Sequence, residues 1–497
     1  MKALFFILII VLITACGDKS SNQISNEIAE PVSLKGHLID GYPTVEGGYG
    51  YSVLPGQEIA WHVNAKTVKE GIITINDALG REVDKLTTKV SPQTIAYNDP
   101  SKNGFGYAIT FKYKVPATLS SGVYYLNNNQ DYMFVVLPIE STEIMVVIPT
   151  NSMNAYSCAG GKGLYACPKS KLFPNGSEPI PKVSFARPIR SKVKWTWDII
   201  GMMTGFLQWA ESHLTAYDVG YITDKELDDS VWLADTRLMY IPGHNEYWSL
   251  KAKNNVASFL DQKRHIIVLG GNIMWWHARY EGNSLVSYKH EKDVFAKDGE
   301  ETNYLHYLDG QNAVYTLGAN FHYGGYHKNV WDADSLEKNA FRITADKSPI
   351  FDNTGIKLCD EIDLSHNHEF DGVPIFGFSE AGLPVPAYKI IKQHKVEILG
   401  YTWGYRGGHT IGTIHAAQRT PNSGYLVQFG SNGAAGFGFT NGTSEIYKQV
   451  LENTQKTLLN GLSPFSPEYT EETIAHELRI PYGGEKSEFP YEKCARN

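Results

Sequence analysis

Apolar and polar residues alternate in short runs from residue 34 to about 140. Examples are Glu58-Ile59-Ala60-Trp61-His62-Val63, Gly71-Ile72-Ile73-Thr74-Ile75 and Tyr107-Ala108-Ile109-Thr110-Phe111. A period of two places alternate side chains on one face of a strand, and turn signals such as Leu54-Pro55-Gly56 and Asn98-Asp99-Pro100 separate the runs. The spacing predicts an antiparallel sandwich of immunoglobulin-like type over 34–140, with Ser120–Tyr125 as a late strand. Near Glu143 the alternation stops. Glu143-Ile144-Met145-Val146-Val147-Ile148 is a continuous apolar run, the pattern of a strand buried on both faces.

Strand and helix patterns then take turns. Helical spacing is predicted over Ile199–Glu211 and Tyr247–Gln262, and strands over Thr215–Ile222, Arg237–Ile241 and Arg264–Leu269. Helical periodicity fades between about 285 and 420, which reads as a long β-rich insertion. It returns with a strand at Tyr425–Phe429 and a helix at Ser444–Leu459, capped by Thr443 or Ser444. The prediction is an α/β fold with a mostly parallel sheet over 141–462, and an extended tail over 463–497. In such a sheet, functional residues gather at the carboxyl ends of the strands.

The N-terminus reads differently. Lys2 precedes an apolar stretch, Ala3–Ile13, too short to span a bilayer and remain there. Ile13-Thr14-Ala15-Cys16 resembles the lipobox of bacterial lipoproteins. The expectation is a signal peptide at 1–15, lipid on Cys16, a polar tether over 16–33, and a membrane-anchored protein of the bacterial cell envelope.

Composition narrows the classes further. A net charge of −8 argues against a nucleic-acid partner. The 30 tyrosines and 10 tryptophans suit β-rich packing or sugar-binding surfaces. The cysteines form no C-x-x-C pair, so a thiolate zinc site is not expected, while Cys158 and Cys167 are spaced to close a short loop in an oxidising compartment.

Four clusters carry candidate chemistry. Pro242-Gly243-His244-Asn245-Glu246-Tyr247-Trp248 lies where a parallel strand turns toward a helix. It has no Ser or Cys, which excludes an acyl-enzyme at that elbow, but offers an imidazole and a carboxylate. Asn154–Tyr165 is a Gly-rich loop with two tyrosines and lacks the spacing of a phosphate loop. Gly270-Gly271-Asn272 ends the next strand. Asp360–Gly372 is dense in acids and includes His366 and His368 in an H-x-H spacing.

Together GHNEYWS (243–249), GGN (270–272), NAYSCAGGKGLY (154–165) and SFARP (184–188) resemble the large, or beta, subunit of N,N-dimethylformamidase and its relatives, over roughly residues 120–460. The resemblance implies a domain like class I glutamine amidotransferases without their nucleophilic cysteine. It also implies a mononuclear ferric iron held by two tyrosines and one glutamate. Glu246 and Tyr165 match two of these ligands; Tyr124 matches the third by spacing, with Tyr156 as the alternative. His244 and Asn272 match catalytic, substrate-facing positions. The catalytic glutamate of an E-x-D segment corresponds to Glu369, with Glu361 as the alternative.

Phenolate and carboxylate oxygens are hard ligands that favour ferric iron, which acts as a Lewis acid toward an amide carbonyl. The implied activity is hydrolysis of a linear amide C–N bond in a small-molecule or envelope substrate. Oligomerisation is left open. A glycan- or peptide-binding lipoprotein without catalysis, and a carbohydrate-active enzyme, are the competing readings. The iron reading requires Tyr165, Glu246, His244 and Asn272 to converge.

Overall fold

A computed structural model describes residues 32–46, 49–169, 177–189, 199–297, 300–303, 313–327, 340–364, 369–406, 409–467 and 469. For 409 and 476–477 it describes the backbone. Cys16 and the expected signal and tether before residue 32 lie outside these residues, as do His366 and His368.

The N-terminal part is two antiparallel sheets face to face. Leu38–Val45, Glu58–Ala65 and Phe111–Lys114 form a three-stranded sheet. Lys69–Asn76, Glu82–Val90, Gly122–Leu126 and Met133–Val136, with a short parallel partner at Ser52–Val53, form a five-stranded one. Trp61, Val63, Ile73, Ile75, Phe111, Tyr124 and Phe134 fill the space between them. The strand expected at Tyr107–Phe111 instead begins at Phe111. The loop before it is held by Gln93, whose side chain bonds to Ala108 N and O.

The five-stranded sheet is buried on both sides. Tyr124, Leu126, Phe134 and Val136 point into the sandwich, while Val123, Tyr125, Met133 and Val135 join the core of the second part. Side chains cross the same boundary. Tyr49 donates to Thr150 Oγ1 (2.5 Å), Ser52 to Glu226 Oε1 (2.7 Å) and Tyr51 to the carbonyl of Arg187 (3.0 Å).

The second part is built on an eleven-stranded sheet. One half is parallel, in the order Val219–Thr223, Ile144–Ile148, Leu238–Pro242, His265–Leu269, Tyr425–Phe429. The other half is antiparallel, continuing through His409–Gln418, Lys395–Tyr405, Gly325–Tyr326 and Glu369–Gly372. The sheet is therefore mixed, which corrects the mostly parallel expectation. Lys395–Tyr405 and His409–Gln418 follow each other too closely for a crossover, and so short a connection permits only an antiparallel pair. Residues 285–420, expected as an insertion, supply strands to this main sheet. Part of the tail does the same for a smaller sheet, where His476–Glu477 pairs with Gly377 and Phe378.

Helices Gly201–His213, Leu250–Asp261 and Ser444–Leu459 pack on the parallel half. The second starts at Leu250, later than the Tyr247 predicted. The Ser249 side chain caps it by accepting from Ala252 N (2.9 Å), and Tyr247–Trp248 is a short strand paired with Trp276–His277. Among the described residues no helix is long and apolar enough to cross a membrane.

Strand order fixes where a site can form. From Ile144–Ile148 the chain next adds Val219–Thr223 on one side and then Leu238–Pro242 on the other. The order reverses there, so the loops after Ile148 and after Pro242 diverge and leave a crevice at the carboxyl edge.

Candidate functional site

The crevice is lined by His244, Glu246, Asn272 and Glu369, each at most 5% exposed. The chain after Ile148 contributes Tyr156, the last residue of helix Thr150–Tyr156, and Tyr165 in the loop beyond it, both partly buried, with ring centroids 4.4 Å apart.

Each strand end places one element. After Leu238–Pro242, Gly243 takes φ +75° and turns the chain so that His244 and Glu246 face the crevice. Glu246 N donates to Ser152 Oγ (2.8 Å). After His265–Leu269, Gly271 lies so near the Glu369 backbone that a Cβ there would sit 2.4 Å from Glu369 O. Asn272 follows in the left-handed region, φ +55°. Asp371 holds that turn by accepting from Asn272 N (2.9 Å) and Ile273 N (3.1 Å), and Gln428 donates to the same carboxylate (2.7 Å).

The side chains form one network. Tyr165 donates to Glu246 Oε1 (2.7 Å) and receives from Trp276 Nε1 (3.1 Å). Asn272 Nδ2 bridges the two carboxylates, 3.2 Å from Glu246 Oε1 and 3.1 Å from Glu369 Oε2. His244 Nε2 lies 3.1 Å from Tyr156 Oη and 3.4 Å from Glu246 Oε2, and its Nδ1 lies 3.6 Å from Glu369 Oε2. Asn432 Nδ2 donates to Glu369 Oε2 (3.2 Å). Lys289 Nζ sits 3.1 Å above the Tyr165 ring and donates to Leu164 O (2.7 Å).

Charge follows from this packing. Burial opposes a proton on His244, but its contacts with Glu246 and Glu369 outweigh burial and raise its pKa to about 9. Burial pushes against the Glu246 anion as well, yet His244, Lys289 and Tyr165 hold its pKa below the usual value. Burial, with help from the Glu246 charge and against His244, raises Glu369 to about 7. Tyr156 and Tyr165 are pushed well above 10, by burial first and by the Glu246 charge second. The site thus holds an imidazolium beside one firm carboxylate, and a second carboxyl able to exchange a proton near neutrality.

Tyr165, Glu246, His244 and Asn272 converge, and Tyr156 and Glu369 join them. Tyr124 and Glu361 do not. Tyr124 faces Phe134 across the strand pair inside the sandwich and donates to Ser120 O (2.9 Å). It is the inward member of an alternating strand, and spacing from Tyr165 had no means of registering that. Glu361 is exposed and meets Arg342 (3.4 Å). Sequence reasoning missed Asn432, Lys289 and Trp276, and took the E-x-D segment at 369–371 for its glutamate while Asp371 holds the Asn272 turn. Of the three, Asn432 carried a signal, since Ser431-Asn432-Gly433 follows the strand at 425–429 as Gly271-Asn272 follows that at 265–269.

Among the described residues no group of three or more His, Cys, Asp and Glu side chains is arranged to hold a metal ion. The donor set that does converge here is two phenols and one carboxylate, from Tyr156, Tyr165 and Glu246. Asn272 Oδ1 is buried and accepts no hydrogen bond, and Glu246 Oε2 has the His244 imidazole beside it at 3.4 Å. Acceptors this sparsely satisfied fit a bound cation. Cys158 and Cys167 form a disulfide around the tyrosine loop.

No curated protein matches the chain. The family model described as N,N-dimethylformamidase beta subunit-like, C-terminal, matches residues 79–445, so its match begins within the sandwich and runs through the helix start at Ser444. With most of its length matched, the chain belongs to the N,N-dimethylformamidase beta subunit-like family.

Proposed function

We propose that the protein is an iron-dependent amide hydrolase of the bacterial cell envelope, with Tyr156, Tyr165 and Glu246 as the residues that hold a ferric ion. One observation carries this reading: two phenols and a buried carboxylate meet at the switch point of the sheet. Family membership supports the amidase-type chemistry.

A ferric ion bound there supplies Lewis acidity toward an amide carbonyl and lowers the pKa of the phenols that hold it. The chain's own residues do the rest. Glu369 takes a proton from water as its oxygen attacks the carbonyl carbon, and returns one to the departing amine as the C–N bond breaks. Its pKa near 7 suits both transfers. In this reading the His244 imidazolium stabilises the oxyanion, and Asn272 Nδ2 does so by giving up one of its two carboxylate contacts. The surrounding apolar core excludes water and strengthens each of these interactions. The products are a carboxylic acid and an amine.

Glu246→Gln keeps the shape and removes the anion. The purified wild-type protein is expected to carry iron and a visible tyrosinate absorption band, and the variant to lose both while remaining folded. A variant that keeps its full iron content would return the protein to the binding-lipoprotein reading. The envelope location rests on the lipobox at Ile13–Cys16; Cys16→Ser should release the protein from membranes, and retention after a high-salt wash would refute the anchor.

A further inference from the structure

Three of the four sequence motifs place side chains in the crevice. The fourth, SFARP at 184–188, places none. Its Arg187 is fully buried, and among the described residues its guanidinium meets no carboxylate. Burial lowers its pKa to about 9, so the group stays charged at neutral pH. An enclosed cation without a counter-ion is costly and persists only where its donors are well satisfied.

Carbonyl oxygens satisfy them. Nε donates to Asn154 Oδ1 and Ser184 O (3.1 Å each), Nη1 to Ala159 O and Lys162 O (2.8 Å each), and Nη2 to Asn154 O (2.7 Å). All but Ser184 belong to the segment 154–162, which begins two residues before Tyr156 and ends three before Tyr165. Its first three residues close helix Thr150–Tyr156 and Cys158 is tied to Cys167, but between these restraints Gly160 and Gly161, both at positive φ, leave 159–162 little preference of its own for one shape. Only a planar five-donor fork can collect carbonyls spread along such a loop; a lysine ammonium has neither the number nor the directions.

We propose that Arg187 is the positioning residue for the tyrosine loop, fixing Tyr156 and Tyr165 toward Glu246 before any metal arrives. The loop geometry stands by itself; the consequence for ferric binding rests on the function proposed above.

Arg187→Lys tests both parts, with Phe134→Leu in the sandwich core as a control that weakens the fold elsewhere. Amide hydrogen exchange is measured on metal-free protein, and ferric iron is then supplied as its citrate chelate while the tyrosinate band is followed. In Arg187→Lys, exchange across 154–165 should accelerate about tenfold or more while the central strands keep their protection. Ferric affinity should fall about tenfold and the band weaken. Phe134→Leu should lower the thermal midpoint and leave loop exchange and the band unchanged. Loop exchange within about twofold of wild type, or acceleration shared equally by every segment, overturns the proposal. Should Arg187→Lys not fold, Arg187→Gln is judged by the same criteria. If wild-type protein binds no ferric ion, the iron reading falls and the exchange result alone decides the role of Arg187.

Discussion

The sandwich core and the carboxyl-edge crevice are equally closed to water and are built from opposite materials. Around Trp61 and Phe134 the packing is apolar and aromatic, with ring centroids 6.2 Å apart in an edge arrangement. Around Glu246 the packing is a mesh of carboxylates, amides, an imidazole and phenols, each donor aimed at an acceptor. An apolar core releases free energy as it forms, whereas a polar one must spend its hydrogen bonds on offsetting desolvation. The crevice therefore reads as a place kept for chemistry, at the expense of stability, while the sandwich and the wide sheet hold it in shape.

The sharpest way to break that contrast is to cut the apolar side. Phe134→Ala should cost about 3–5 kcal/mol in denaturant unfolding, with the cavity adding to the lost transfer energy. A loss below about 1 kcal/mol would mean that the sandwich is not the stabilising half.

Glu246→Gln, compared in metal-free protein, should cost less, about 1–3 kcal/mol, because a neutral amide replaces a charge that was itself poorly solvated. Its signature is elsewhere: without the Glu246 anion, the His244 pKa should drop from about 9 toward the ordinary value, read by NMR of the ring protons. A His244 titration unchanged in the variant would show that Glu246 does not hold the proton there.

A third effect, which vanishes at neutral pH, is a pH slope away from the crevice. His415 is fully buried on the strand at 409–418, pairs with Leu317 O (2.9 Å), and burial lowers its pKa to about 4. Unfolded, the ring binds a proton below about 6.5, and folded it does so only below about 4. Stability from this group is thus complete above 6.5 and declines as pH falls toward 4, by up to about 1.4 kcal/mol per pH unit. His415→Gln should flatten that slope between pH 6.5 and 4; an unaltered slope would assign acid sensitivity to other groups.

Much of the local structure was legible in the chain. The strand at Tyr425–Phe429 and the helix at Ser444–Leu459 fall where periodicity placed them, and the elbow at 242–248 stands at a strand end as its glycine and apolar run implied. These are local facts, set by side-chain period, caps and turns over a few residues. The mixed character of the sheet was not legible, because the apolar run of a buried strand looks the same whichever way its neighbour points.

The choice between residues of one type belonged to the tertiary structure alone. Tyr124 and Tyr156 were both candidates for the same ligand position, and Glu361 and Glu369 both open an E-x-D segment. Only strand register turned Tyr124 into the sandwich, and only sheet order carried Glu369 to Asn272 while leaving Glu361 in solvent beside Arg342. Lys289, Asn432 and Arg187 reach the crevice or its supporting loop across 125, 63 and 33 residues of chain from the partners they bond. The sequence by itself determined which segments become strands and helices and which strand ends carry reactive groups, since those depend on near neighbours. Which groups meet depended on loop closure and core packing over long separations, and no local pattern records either.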